Sequence, residues 1–179
     1  MKKFLPWILA TGVITVIFGT MYLVGLQMLR ESANNLPRQI ADDTAANFAG
    51  HAAFEGTPLP SKVDIAHSLA AFYIMYDQDG KPIGGTGYLN GTWPTVPYGV
   101  LLHAKTGHDH VITWQPQPGV RIATVTAKLS NGGYVLGGQS LSQTDQQADH
   151  VLWLSAIGWA ISLGGMGIGY VLNTRLAKR

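Results

Sequence analysis

Residues 4–29 read FLPWILATGVITVIFGTMYLVGLQML and residues 151–172 read VLWLSAIGWAISLGGMGIGYVL, and neither stretch contains a charged side chain. A helix needs about 20 apolar residues to cross the hydrocarbon core of a bilayer, which is roughly 30 Å thick. Both stretches are long enough, and neither has the polar face that a surface helix of a soluble domain presents to water. We therefore expect two transmembrane helices, at 4–29 and 151–172.

Basic residues stand at the outer ends of both segments. All 10 Asp and Glu lie between residues 30 and 150, whereas the tails hold five of the 12 Lys and Arg: Lys2, Lys3, Arg175, Lys178 and Arg179. Positive charge beside a membrane helix is retained on the cytoplasmic side. The sequence therefore predicts a multi-pass protein of the plasma membrane, with cytoplasmic tails 1–3 and 173–179 and an extracytoplasmic domain 30–150. The basic residues of the tails then indicate the orientation of the protein in the membrane and do not argue for binding of nucleic acid. The lipid bilayer is therefore an expected partner, and nucleic acid is not.

The first segment has one alternative interpretation, a cleaved signal peptide that starts with Lys2 and Lys3. The apolar region of a signal peptide is about 7–15 residues long, and this segment is longer. The residues that follow it, RESAN at 30–34, contain no A-x-A-like cleavage site. We therefore expect an uncleaved anchor. Because the chain has no cysteine, no disulfide can stabilise the exported domain.

Residues 30–53 are predicted to continue the first segment as a helix. Leu36, Ile40 and Thr44 recur at four-residue steps, which is the spacing of one helix face. Pro37 lies inside this stretch and is expected to kink or interrupt the helix, because proline lacks the backbone N–H that the helix requires.

Strand patterns dominate the rest of the domain. Apolar or alternating runs between Gly-rich and Asn-rich turns predict five strands, at 71–76, 82–89, 110–115, 120–129 and 134–141. A short helix is expected at 97–105, and a longer helix is expected to start at Ser142 and to run into the second apolar segment. Antiparallel hairpins bracketed by helices indicate the α+β class.

Three stretches carry a family resemblance: Phe72–Asp77 followed by Asp79-Gly80, then Val111–Pro116 with Gly119–Ala123, then Gly133–Leu136 with Gly138–Leu141. In this order they resemble the hairpin, the later strands and the last strand of the extracytoplasmic sensor module of bacterial sensor histidine kinases. The resemblance covers about residues 65–172. It implies a PAS-like or Cache-like domain with an antiparallel sheet of about five strands, whose last strand leads into the second membrane helix.

The chain departs from those kinases after the second apolar segment. A sensor kinase continues into a HAMP linker and a kinase domain, whereas only Asn173–Arg179 follow here, and no G-x-x-x-x-G-K-[ST] or G-x-G-x-x-G motif occurs. We therefore expect a two-component sensory or regulatory module without catalytic output, which acts as a homodimer or through a separate membrane kinase. The alternatives are an anchored extracytoplasmic binding or scaffold protein and a truncated sensor histidine kinase.

Large aromatic side chains and one cation are the candidate ligand-binding residues. The resemblance implies a small extracellular ligand held between the sheet and a covering loop by Trp93, Tyr98, Trp114, Arg121 and Tyr134. The alternative is that the aromatic residues only pack the core and its rim.

Histidines form a weaker candidate metal site. His108 and His110 would project to the same side of a strand, with His103 and Asp109 nearby. An exposed polar loop explains them better, so no metal or other cofactor is expected. No catalytic arrangement is found either, since Ser140 and Ser142 lack a G-x-S-x-G context, and the chain is not expected to be an enzyme.

Small residues recur at four-residue steps along both apolar segments. Such ridges let helix backbones approach closely in a membrane. The sequence therefore predicts helix packing, within the chain or in a dimer, through Thr11, Thr15, Gly19, Ala156, Ala160, Gly164, Gly165 and Gly169.

Overall fold

Two long helices contain the two apolar segments in the computed structural model, which describes residues 5–49, 62–102, 104 and 110–176. Helix α1 spans Leu5–Ala49 and helix α3 spans Ser142–Leu176. By length and composition, both are able to cross a membrane. The chain divides into two compact units, one of residues 1–29 with 146–179, and one of residues 30–145.

In chain order, the described residues between the two long helices form seven strands and one short helix. The helix α2 is Tyr98–Leu102. The strands are β1 Val63–Asp64, β2 Phe72–Tyr76, β3 Pro82–Gly85, β4 Gly87–Tyr88, β5 His110–Gln117, β6 Val120–Lys128 and β7 Tyr134–Ser140.

Five of the strands form one sheet in the order β3-β2-β7-β6-β5, and all its neighbours are antiparallel. The two strands that are first and last in the chain order of this sheet, β2 and β7, therefore lie next to each other. The short strands β1 and β4 pair in parallel as a separate ribbon. The predicted α+β class and the five-stranded antiparallel sheet are confirmed.

Both faces of the sheet are covered. The C-terminal part of α1 packs on one face, where Ala41 joins a buried cluster with Val125, Ala127, Leu129 and Val135. On the other face a larger cluster is capped by the segment of β1 and by α2 with the loop before it: Val63, Ile65, Val96 and Leu101 cover Phe72, Ile74, Tyr76, Ile122 and Leu136. Covering on both faces explains why the residues of β6 from Ile122 to Ala127 are all buried.

Two consecutive glycines in β7 allow both layers to approach the sheet. A Cβ on Gly137 would overlap the carbonyl oxygen of Pro37 in α1, and a Cβ on Gly138 would overlap the ring of Phe72. Successive residues of a strand face opposite sides of the sheet, so the pair serves one contact on each face. Any side chain at either position would have to displace backbone or a buried aromatic ring.

Of the two outcomes expected at Pro37, a kink or an interruption, the interruption is wrong, because α1 contains this proline and continues to Ala49. The reason is tertiary. Pro37 and Ala41 lie against Gly137 of the sheet, and Ile40 and Thr44 beside them are also buried. This packing compensates for the lost helical hydrogen bond.

The predicted strand 82–89 is two strands, because Thr86 interrupts it. The Thr86 N–H donates to the carbonyl of Tyr73 at 2.9 Å, and the Thr86 carbonyl accepts from the N–H of Val63 at 2.7 Å. Gly85 before it has a φ of 139°, which only glycine adopts readily. The chain thus leaves the main sheet after β3 and pairs with β1.

The apolar parts of α1 and α3 pack side by side in antiparallel orientation. Trp7 contacts Tyr170 edge-on with ring centroids 5.2 Å apart, and the indole N–H of Trp159 donates to the hydroxyl of Thr15 at 3.1 Å. A Cβ on Gly25 would lie 3.1 Å from Val151. As the residue numbers of the contacting positions increase along α1, those of their partners decrease along α3. The two uncharged segments therefore lie alongside each other over their whole length.

The small residues that make this close contact are largely not the predicted ones. A Cβ on Gly158 would lie 2.6 Å from the ring of Phe18, whereas a Cβ on Gly19, Gly164 or Gly165 would meet nothing within 4 Å. The contact follows the side of α1 that carries Trp7, Phe18 and Gly25, and spacing alone does not reveal which of several small-residue ridges faces the other helix.

The remaining predicted packing positions differ in their surroundings. Thr15 accepts the hydrogen bond from Trp159, and a Cβ on Gly169 would lie 3.9 Å from Trp7. The hydroxyl of Thr11 donates to the carbonyl of Trp7 within α1, and Ala156 and Ala160 are exposed on α3. Their use in a dimer stays a prediction.

We expect Gly137→Ala to destabilise the sheet unit by about 3 kcal/mol or more, the upper end for overpacking a core, because the added methyl group meets helix backbone and not a movable side chain. The matched control is Gly99→Ala, where a Cβ meets nothing within 4 Å, with an expected effect within about 0.5 kcal/mol. The effects of the two substitutions are measured in the full chain by thermal unfolding and by amide hydrogen exchange of β2, β6 and β7. Equal protection in the two variants would contradict the assigned packing of α1 on β7.

The chain lacks native cysteine, so introduced pairs report the helix contact directly. We expect the double variant Gly25→Cys with Val151→Cys to form an intrachain disulfide under mild oxidation, because these positions are in contact. The control is Leu23→Cys with Leu154→Cys, at a similar level of the pair but 65% and 71% exposed. Mobility on a non-reducing gel distinguishes them, and a disulfide in the control alone would show a different face of contact.

Candidate functional site

A cleft of about 560 Å³ opens on the sheet unit between the loop that follows β4 and the outer strand β5. Its volume is within the range of roughly 300–1,000 Å³ that small-molecule sites occupy. Nine described residues line it: Leu89, Asn90, Thr92, Trp93, Pro94, Thr95, Trp114, Gln115 and Pro116. We call it the tryptophan cleft.

A tight turn forms the loop side of the tryptophan cleft. Leu89 and Thr92 exchange backbone hydrogen bonds of 2.9 and 3.1 Å. The two residues between them, Asn90 and Gly91, have φ values of 52° and 82°. Asn and Gly are the residue types that adopt this left-handed region most readily, so the Asn-Gly sequence is suited to the turn.

Trp93 is fixed by two contacts. Its indole N–H donates to the carbonyl of Gly85 at 3.1 Å. Its ring lies against that of Tyr88, with centroids 5.7 Å apart and planes tilted by 32°. Lys62 in turn places its Nζ 4.9 Å from the centroid of the Tyr88 ring. The indole donor is therefore already used, and what Trp93 offers the cleft is ring surface.

A buried hydrogen bond holds the next part of the loop on the sheet. The hydroxyl of Tyr76 in β2 donates to the carbonyl of Pro94 at 2.9 Å. Burial raises the pKa of Tyr76 above its ordinary value, because the charged phenolate is poorly solvated there. The phenol thus stays protonated and remains a donor at any physiological pH.

The opposite wall of the cleft is an irregular part of β5. Trp114 pairs with Ile122 of β6 and is 8% exposed, so most of this side chain belongs to the core. The register of β5 against β6 shifts between Trp114 and Gln117. A bulge of this kind re-aims side chains, and it brings Gln115 and Pro116 to the cleft.

Uncharged polar groups complete the lining. In the part of the chain that the structure describes, the side chains of Asn90, Thr95 and Gln115 form no hydrogen bond with another group of the chain. Among the nine described lining residues, none is ionisable. The cleft therefore combines aromatic surface with amide and hydroxyl groups that are available to a ligand.

Two of the five predicted ligand residues, Trp93 and Trp114, come together at this cleft. The other three lie elsewhere. Tyr98 donates its hydroxyl to the carbonyl of Gln78 at 3.0 Å, and Tyr134 is a buried residue of the core. These two match the alternative of core and rim packing.

Arg121, the predicted cation, forms an ion pair and lines no part of the cleft. Its guanidinium contacts both carboxylate oxygens of Asp145 in the first turn of α3, at 3.0 and 2.9 Å. Successive residues of a strand face opposite sides, so Arg121 lies on the side of β6 opposite to the buried Ile122. Its partner at the start of α3 depends on how β6 and β7 are paired.

The polar residues Asn90, Thr95 and Gln115 were not among the predicted site residues. The Asn90-Gly91 turn is visible in the sequence, but nothing in the sequence places it beside β5. Of the candidate metal ligands, His103, His108 and Asp109 lie outside the described residues, as does the side chain of His110. Among the residues that are described, no three His, Asp or Glu side chains cluster as metal ligands would.

Comparison with protein-family models, with curated proteins and with solved structures finds no match for this chain.

Proposed function

We propose that this protein is a membrane-anchored sensory or regulatory module with a PAS-like extracytoplasmic domain, resembling the input half of a two-component sensor kinase. In this proposal the apolar parts of α1 and α3 cross the plasma membrane as a hairpin, and both tails lie in the cytoplasm. The sheet unit binds a small ligand outside and passes its state to a homodimer partner or to a separate membrane kinase.

The helix pair supports the membrane placement. Its outer surface is apolar, with Ile8, Val16 and Leu154 each 65–71% exposed, and hydrocarbon is the solvent that such a surface favours. Charged residues lie beyond the paired region, at Arg30 in α1 and at Arg175 in α3. Each apolar segment is long enough for a bilayer, and the antiparallel contacts hold the two at the same level.

The observation that most directly supports a signalling role concerns strand β7, which packs against α1 and is followed directly in the chain by α3. Gly137 of β7 lies against Pro37 and Ala41 of α1. Directly after β7, the N–H of Leu141 donates to the carbonyl of Arg121 at 2.8 Å. A shift of β7 would therefore act on α1 and on the start of α3 together.

The ion pair between Arg121 and Asp145 strengthens the connection of the sheet to α3. Asp145 lies in the first turn of the helix, where a negative charge interacts favourably with the helix dipole. Both side chains are about half exposed, and exposed ion pairs contribute only about 0–1 kcal/mol. A contact of this strength can be broken and re-formed by a modest rearrangement, as a switch requires.

The tryptophan cleft supports the input function. It is bounded by β5, which pairs with β6, and by the loop that Tyr76 of β2 holds. Strands β6 and β2 are the two neighbours of β7. A ligand that closes or opens the cleft therefore acts on strands that flank the one that contacts the helices.

Topology is tested by thiol labelling of the cysteine-free chain. We expect Ser130→Cys, an exposed turn position after β6, to react in intact cells with a membrane-impermeant maleimide. Leu176→Cys, 70% exposed near the end of α3, is expected to react only after permeabilisation, because the basic tails stay inside. The opposite pattern, or equal labelling of both, would contradict the proposed orientation.

Partnering is tested by oxidation of single-cysteine variants in native membranes. We expect Gly164→Cys to form a disulfide-linked dimer, because a Cβ there meets nothing within the chain and small ridges favour contact between membrane helices. The control is Gly158→Cys, which faces Phe18 of its own chain and is expected to stay monomeric.

Two further outcomes are informative for the same experiment. If no dimer forms, and purification in mild detergent recovers a second membrane protein in stoichiometric amount, a separate partner is favoured. Absence of both would contradict signalling through the helices and leave an anchored binding or scaffold protein.

A further inference from the structure

The lining of the tryptophan cleft restricts the chemistry of what it can bind. Ring surface from Trp93 lies beside three uncommitted polar side chains, Asn90, Thr95 and Gln115. Amides and hydroxyls both donate and accept hydrogen bonds. The complementary ligand therefore carries groups that also donate and accept, together with an apolar surface that can lie on an aromatic ring.

Charged ligands fit this lining poorly. A charge that leaves water needs an opposite charge or several directed hydrogen bonds, and none of the nine described residues that line the cleft is ionisable. The neighbouring cation, Lys62, lies over the ring of Tyr88 and not in the lining. A purely apolar ligand fits no better, because it would cover the amides of Asn90 and Gln115 without replacing their hydrogen bonds to water.

We propose that the tryptophan cleft binds a neutral, hydroxyl-rich ligand, namely a sugar or a short neutral oligosaccharide. The C–H groups on one side of a pyranose ring lie on Trp93, whose π face is negatively polarised and attracts them. The hydroxyl groups at the ring edge meet Asn90, Thr95 and Gln115. This names the ligand class of the input site in the proposed function, but binding itself does not require that the protein signals.

The test is a titration of the full chain in phosphatidylcholine nanodiscs, since sugar-based detergents would occupy the site. The probes are maltotriose, cellotriose and tri-N-acetylchitotriose as neutral sugars, trigalacturonate as an anionic sugar, and a decaproline peptide as a neutral ligand that aromatic grooves also bind. Saturation-transfer NMR and calorimetry give the affinity. We expect saturable binding of at least one neutral sugar, and none of the other two probes.

Variants assign the binding to the cleft. Trp93→Ala is expected to weaken it about tenfold or more, as removal of an aromatic anchor does, whereas Trp93→Phe retains a ring and most of the affinity. Asn90→Gly removes the amide at a position whose φ of 52° glycine adopts freely, so the turn is preserved while affinity falls. Trp153→Ala on α3 and Ser130→Gly in another turn are the matched controls and are expected to bind normally.

The proposal is overturned if no neutral sugar binds at up to about 10 mM, a concentration that reveals even millimolar dissociation constants. It is equally overturned if trigalacturonate or decaproline binds more tightly than every neutral sugar, or if Trp93→Ala and Asn90→Gly bind as well as the unaltered chain. Because binding is measured without a signalling partner, these outcomes are independent of the cross-linking result, which tests the proposed function separately.

Discussion

The close approach of α1 to strand β7 at Gly137 is the constraint on which the sheet unit depends. Neighbouring Gly138 leaves room for the ring of Phe72 on the opposite face. Protein interiors are packed at the density of organic crystals, so a layer cannot come this close to a strand unless the strand lacks a side chain there. The double glycine therefore sets the spacing of the helix on one side and of the main core on the other.

β7 is also the strand that links the rest of the sheet to α1 and α3. It lies between β2 and β6, contacts α1 through its middle, and is followed directly by α3. Packed layers tend to occupy discrete arrangements and resist continuous deformation. In the proposed function, this position would let β7 transfer a local change at β2 or β6 to the helices more directly than an edge strand would.

The site is built from the least regular parts of the same unit. The turn at Asn90 and the register shift after Trp114 present polar side chains that, within the described part of the chain, form no hydrogen bond. The hydrogen bond from Tyr76 and the contact of Trp93 with Tyr88 hold the loop in place. Rigid support beneath an irregular loop is the usual construction of a binding site, because loops carry variable side chains and the scaffold positions them.

The sequence by itself determined the two long apolar helices, the α+β class, the positions of most strands and the start of α3 at Ser142, because these depend on local hydrophobic period and turn chemistry. Only the tertiary structure decided that α1 continues through Pro37, that 82–89 splits at Thr86, and that Arg121 pairs with Asp145. The same holds for the cleft, where the sequence indicated Trp93 and Trp114 but not Asn90 or Gln115. Each of these features depends on residues far apart in the chain, and strand pairing, which brings such residues together, is not encoded in any single segment.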